Sequence, residues 1–220
     1  MDPITHVVVG IGLATLSNTP LTVSNPLFWA ASLGSLAPDL DVVYRTRGEI
    51  SYLYQHRGAS HSLLGLISLP AIIAFILQLF YPHPGFQTLY FWAMTGTASH
   101  IMLDFFNPHG VQLLWPIKKT RFHQSLLNGF DPILILVLLV SIFGYTYGIA
   151  QPLIVVGCLI VYMLFRWAMS KTVHRFLIRR FVGDGAKRYI IMPSLLSLWS
   201  WDFLIDNNDT ITAGEVRILS

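Results

Sequence analysis

Residues 56–82 read HRGASHSLLGLISLPAIIAFILQLFYP: two histidines and an arginine, then twenty positions from Leu63 without a single charge. A helix needs about 20 predominantly apolar residues to cross a hydrocarbon core, at a rise of about 1.5 Å each. The stretch therefore reads as a membrane span that begins near Ser62 and carries a polar cluster at its entrance. Ser60 or Ser62 supplies the N-cap hydroxyl that such a helix start calls for.

Working outward, composition agrees. The 220 residues are 54% hydrophobic and 11% charged, against about 25% charged in ordinary soluble domains. The net charge of +3 rests on so few charged groups that it carries no indication of nucleic-acid binding. Cys158 is the one cysteine and lies in the apolar run LIVVGCLIVYMLF, which excludes an internal disulfide and a thiolate metal site. The opening MDPITHVVVGIGLATL lacks the basic flank of a secretory leader, so none is expected.

Five more apolar segments surround the first: His6 to Leu16, Leu27 to Ala37, Thr88 to Phe105, Asp131 to Tyr147 and Pro152 to Met169. Alternate connections differ sharply in charge. SNTPLTVSNP, FYPHPGFQT and YTYGIAQP hold no charged residue, whereas the other connections hold Arg45, Arg47, Arg57, Lys118, Lys119 and Arg121. The positive-inside rule places these basic loops and both termini in the cytoplasm. The expectation is a mainly α, polytopic membrane bundle of about six segments in an inner membrane, residues 1–170, followed by a cytosolic tail, 171–220. In that tail KTVHRFLIRRF (171–181) reads as a basic amphipathic helix on an anionic membrane surface. SLWSWDFLID (197–206) and TITAGEVRIL (210–219) read as a small β-hairpin or sheet.

On this topology His6, Asp39 and Asp41, His56 and His61, His100 and Asp104 all fall at cytoplasmic segment ends. Ionisable groups at membrane depth are rare and usually functional, so the coincidence points to one site. In SHIMLD the i, i+4 spacing puts His100 and Asp104 on one helix face, where an imidazole and a carboxylate can share a divalent ion. Each piece also has a plainer reading. His100 and Asp104 serve as helix-end groups, the PDLD aspartates as solvated turn residues, and HRGASHS as a basic flank with a helix cap. Asp131 before Pro132 reads as a cap rather than a ligand. His109, His123 and His174 lack a helical partner at metal spacing, although His123 remains open as a ligand for a second ion.

The ordered set Thr5-His6, PDLD, HRGASHS, SHIMLD, NPHG (107–110) and FDP (130–132) resembles the YdjM-like family of membrane-bound metal-dependent hydrolases, over roughly residues 1–170. Through that family the chain is distantly similar to zinc-dependent phospholipase C and the fungal single-strand nucleases, whose His and Asp ligands hold a metal cluster that cleaves phosphoesters. The tryptophan that begins those enzymes has no counterpart here, which speaks against a full trinuclear cluster.

The expected function is hydrolysis. One or two divalent ions, Zn²⁺ first and Mn²⁺ second, are held by His6, Asp39 or Asp41, His56 or His61, His100 and Asp104. They activate a water against an ester or phosphoester. Asp41 is the candidate proton acceptor, and Arg57 the group that steadies developing negative charge. Beside the bilayer itself, the location favours an amphiphilic substrate such as a phospholipid. Two rivals are a transporter, which would place ionisable groups near the bilayer midplane, and a non-enzymatic scaffold whose His and Asp residues only cap helices.

Overall fold

A computed structural model describes residues 1–48, 57–181, 188–194, 197–206 and 210–218. Six α-helices are present among them: α1 (Pro3–Ala14), α2 (Pro26–Leu36), α3 (Leu63–Phe80), α4 (Phe86–Phe105), α5 (Pro132–Thr146) and α6 (Pro152–Arg180). Local chemistry sets their starts. Asp2, Asn25, Ser62 and Asp131 each accept a first-turn backbone N–H, from Thr5, Leu27, Gly65 and Leu134. Proline opens α1, α2, α5 and α6, at a position where its missing N–H costs nothing. After α2, Ala37 keeps right-handed helical backbone, but Pro38 has no N–H to extend the α ladder, and the chain continues as 3₁₀ turns over Ala37–Arg47.

Packing divides the helices into two groups. Ala30, Ala74, Leu77, Leu89 and Ala93 form the core between α2, α3 and α4. Val8, Val9, Leu134, Leu138, Val155 and Leu159 join α1 to α5 and α6. Small residues bring the first group close. A Cβ on Gly34 would lie 2.2 Å from the Ala93 carbonyl oxygen, and one on Gly96 would lie 2.1 Å from that of Ala31. Such glycines let membrane helices pack backbone to backbone.

The six apolar segments read from the sequence are thus six helices, and they differ in length and apolarity. Among the described residues, only α3 and α6 are long and apolar enough to cross a membrane by length and composition. At about 1.5 Å per residue, the 12 residues of α1 and 15 of α5 reach about 18 and 22 Å, short of a ~30 Å hydrocarbon core. The outward faces of the long helices are apolar: Ile67, Phe75, Leu79 and Phe80 on α3 and Leu153, Val161 and Leu164 on α6 are all more than half exposed. Only 22% of the α3 span and 33% of the α6 span is buried, unlike the core helix of a water-soluble protein.

The last helix also runs unbroken past residue 170 to Arg180, so the basic stretch expected as a separate surface helix is the end of α6. Beyond it stand β1 (Arg188–Pro193), β2 (Ser200–Asp206) and β3 (Ile211–Arg217), an antiparallel meander in the order β1-β2-β3. The two strands expected from sequence are β2 and β3, and β1 completes the sheet. Trp201 and Ile191 pack it against Val173 and Leu177 of α6.

Candidate metal centre

Four separate elements converge where α2 and α4 end and α3 begins. The Ala37–Arg47 turns carry Asp39 and Asp41, the single turn Ala59–His61 carries His61, the last turns of α4 carry His100 and Asp104, and α1 brings His6. A 3₁₀ helix turns about 120° per residue, so aspartates two apart do not share a face. Asp39 accordingly faces His100, at 3.6 Å from its Nε2, while Asp41 faces the Arg57 to His61 turn.

Asp39, His61, His100 and Asp104 each offer one ligand atom, all within 4.8 Å of one another. His61 Nε2 lies 3.0 Å from His100 Nε2 and 3.2 Å from Asp104 Oδ2, and His100 Nε2 lies 3.8 Å from Asp104 Oδ2. Ligands about 2.05 Å from a tetrahedral zinc stand about 3.3 Å apart, close to these separations. Second partners fix the rings. His100 Nδ1 donates to the Ser35 carbonyl at 2.6 Å. His61 Nδ1 is 2.9 Å from Ser60 Oγ, which donates to Asp41 Oδ2 at 3.1 Å. His100 thereby turns its unprotonated Nε2 towards His61 Nε2 and two carboxylates, while His61 stands between the Ser60 hydroxyl at Nδ1 and Asp104 at Nε2. With the proton of each ring on Nδ1, both Nε2 atoms are free to hold one cation between them.

Around these four the polar groups are crowded and incompletely paired. His6 is fully buried, its ring stacked 3.5 Å from that of His100. Neither of its nitrogens finds a hydrogen-bond partner among the described residues, although Nε2 lies 3.4 Å from Asp104 Oδ1. Asp39 Oδ2 is likewise buried without a partner. Asp104 Oδ1 accepts from the amino group of Met1, and its Oδ2 pairs with Arg57 Nε at 2.9 Å. Buried polar atoms are nearly always satisfied, so the orphaned His6 and Asp39 atoms and the donor set of nitrogens and carboxylates fit a divalent cation.

The turn that carries Arg57 is unusual. Arg57 is buried and has a left-handed backbone (φ 62°), and its N–H donates to Asp41 Oδ2 at 2.8 Å. Burial, followed by the nearby Asp104 carboxylate, pushes the Asp39 carboxyl up to about 6. Burial also holds the His61 imidazole below its ordinary value, and so neutral at pH 7.

Of the sequence candidates, His61, His100, Asp104 and Asp39 thus form the four-atom cluster, with His6 against it. Asp41 stands behind His61 instead of in the cluster, and Arg57 is turned onto Asp104. His56 lies outside the described residues. Asp131 is remote: it caps α5 and accepts from the Tyr162 hydroxyl at 2.7 and 2.8 Å. Sequence reasoning passed over Ser35, whose carbonyl carries no residue signature. It also passed over Arg166, a charge inside an apolar run that is itself a signal. Arg166 is buried, donates to the Leu126 carbonyl and lies under the Trp201 ring at 4.8 Å.

Residues 1–173, which contain every group of this cluster, match the pattern of YdjM inner membrane proteins. The chain belongs to the YdjM inner membrane protein family. It is 31% identical over 210 residues to the uncharacterized protein YfhP of Bacillus subtilis (strain 168), an alignment covering 89% of this chain and 62% of YfhP. It is 34% identical over 110 residues to the inner membrane protein YdjM of Escherichia coli (strain K12) and to that of Shigella flexneri, covering 44% of this chain and 53% of each relative. The chain therefore spans about three fifths of YfhP and about half of the two YdjM proteins. No solved structure matches it. Membership in this inner-membrane family agrees with the apolar exteriors of α3 and α6, and this chain carries a His/Asp group able to hold a metal ion.

Proposed function

We propose that this protein is a membrane-bound metal-dependent hydrolase acting on an ester or phosphoester, with lipids the favoured substrate class. The observation that carries the reading is the convergence of His61 Nε2 and His100 Nε2, 3.0 Å apart, with two carboxylates, all four ligand atoms within 4.8 Å of one another. The ion is Zn²⁺ first, because two nitrogens and two oxygens at near-tetrahedral separations suit it, and Mn²⁺ second. When bound, such a cation supplies Lewis acidity, lowering the pKa of a water towards about 7 and polarising a phosphoryl or carbonyl oxygen.

The chain's own residues do the rest. Ser35 and the Ser60 and Asp41 pair orient the two ligand rings. Asp39, the most exposed of the four ligand residues, keeps an unpartnered Oδ2 suited to take a proton. Arg57 holds a guanidinium against Asp104, with Nη1 unpartnered and available to an anionic oxygen. This reading moves the proton acceptor from Asp41 to Asp39 and leaves Asp41 a positioning role.

The proposal includes the cytoplasmic placement of the site and of both termini. Helix α4 is less apolar than α3, but it follows α3 after the short connection 81–85 and buries its polar Thr97, Ser99 and His100. Its 20 residues reach about 30 Å, so α3 and α4 are read as a crossing hairpin with the site at its basic end.

The competing reading is a charge cluster that only ties α1 to α4, and it draws on the Met1 and Arg57 contacts to Asp104. Metal analysis of purified protein separates the two. Wild type is expected to carry zinc or manganese near one equivalent, and the His100→Ala/Asp104→Ala double variant almost none. If wild type carries no more metal than the variant, the hydrolase proposal has lost its basis. A panel of phosphoester and lipid substrates then tests the reaction, with activity expected only in the metal-loaded wild type.

A further inference from the structure

A second polar site lies on α6, away from the candidate metal centre. His123 and Ser125 of the segment before α5, Ser170, Lys171 and His174 of α6, and Tyr189 of β1 contribute to the lining of a cavity of about 340 Å³. Among the described residues its lining is one-sided: an ammonium, two imidazoles and a phenol, with no carboxylate. The ammonium of Lys171 is held over the Trp167 ring at 5.9 Å, and the His174 ring meets the Tyr189 ring edge-on at 6.0 Å. Buried Ser125, left-handed at φ 48°, places its hydroxyl 3.4 Å from His123 Nδ1.

The position along α6 adds to this. Lys171 follows the apolar part of the helix, at the level where the Trp167 ring stands exposed, and Arg175, Arg179 and Arg180 follow within three turns. Aromatic and basic residues in that order mark the headgroup level of a membrane helix. Hydroxyl, imidazole and ammonium donors around a concave space without acid match the oxygens of a phosphate group. The volume, near the lower end of the roughly 300–1,000 Å³ usual for ligand sites, leaves room for the phosphate and a small attached alcohol.

We propose that the cavity between α6, the 123–126 segment and β1 binds a phosphate-bearing anion, either a lipid headgroup at the membrane surface or a soluble phosphate ester. The assignment is independent of the metal centre, because the described lining of the cavity shares no residue with that cluster.

The full chain is tested in two arms, by calorimetry with inorganic phosphate and glycerol 3-phosphate in zwitterionic detergent, and by native mass spectrometry from nanodiscs of phosphatidylcholine with phosphatidylglycerol. Wild type is expected to bind in at least one arm: the soluble probes indicate a phosphate ester, and retained phosphatidylglycerol alone indicates a headgroup. Lys171→Gln/His174→Gln is expected to weaken that binding at least tenfold. Arg179→Gln/Arg180→Gln, which removes equal or greater charge outside the cavity, is expected to change it less than twofold. Should the first variant fail to fold, Lys171→Glu at an exposed position replaces it, with the same loss expected. The site is overturned if wild type binds in neither arm, if the cavity variant binds as wild type does, or if the two variants weaken binding equally and so report only surface charge.

Discussion

His100 commits one ring nitrogen to the Ser35 carbonyl and turns the other towards His61 and two carboxylates, and this division decides what each neighbour contributes. Asp41 is such a neighbour. It orders the Arg57 to His61 turn through a backbone N–H and the Ser60 hydroxyl. Removing an orienting carboxylate of this kind weakens metal binding about 10–100-fold. Asp41→Asn is therefore expected to lower zinc affinity in a chelator competition while leaving one equivalent bound at saturation. Asp39→Asn, which removes a ligand, is expected to abolish stoichiometric binding, and equal effects of the two would contradict the division. Acid is expected to release the metal. With the Asp39 carboxyl raised to about 6 and the His61 ring held below its ordinary value, both stand unprotonated at pH 7. Below about pH 6 a proton competes for Asp39, and affinity falls by up to about tenfold per pH unit. For the cation-free fold the sign reverses: Asp39 is easier to bury protonated, so its contribution to stability is full below its unfolded value near 4 and is lost as pH rises through 6. Zinc titrations between pH 5 and 7.5 check the first statement, and a flat affinity would remove Asp39 from the ligand set.

Among the elements, the α2 and α4 contact holds the ligands in register. Gly34 and Gly96 let the two backbones meet, and Thr97 Oγ1 donates to the Gly34 and Ala93 carbonyls at 3.0 Å. The His100 to Ser35 bond lies one turn further along the same seam. Gly96→Val forces side-chain atoms into the Ala31 carbonyl, and overpacking of this kind costs roughly 1–3 kcal/mol. The expected result is a lower melting temperature in detergent together with weaker zinc binding, since spreading α2 from α4 separates Ser35 and Asp39 from His100. Gly157→Val on α6, where an added Cβ meets nothing within 4 Å, is expected to leave both unchanged. The motifs HRGASHS, PDLD and SHIMLD are legible in sequence because each is local. The seam that aligns them depends on which small residues oppose each other, and glycines elsewhere in the chain give no such sign.

At the scale of the whole molecule, two of the described helices carry the length and apolarity for a membrane while the charge pattern asks for alternating loops. Reporter fusions resolve this. Fusions in 117–122 and after Phe181 are expected to report the cytoplasm and fusions in 82–85 the opposite side; fusions in 148–151 are expected there too, because α6 is long enough to cross back and the uncharged residues after Thr146 extend the short α5. A cytoplasmic signal from 82–85 would refute the α3 and α4 crossing hairpin. The sequence by itself determined that the chain is mainly helical and apolar, where its six described helices start to within a few residues, and that its His and Asp residues gather near segment ends. Those properties follow from hydrophobic runs, prolines and capping groups, which act over a few residues. Tertiary structure alone decided that Asp39 and Asp41 face apart, that Asp41 backs His61 instead of joining the cluster, and that Arg57 turns onto Asp104. It also decided that His123, His174 and Lys171 share a cavity remote from the cluster. The physical reason is distance along the chain. Donor atoms from residues 39, 61, 100 and 104 come within 4.8 Å only after helix packing fixes backbone height and rotation, and no local pattern encodes either.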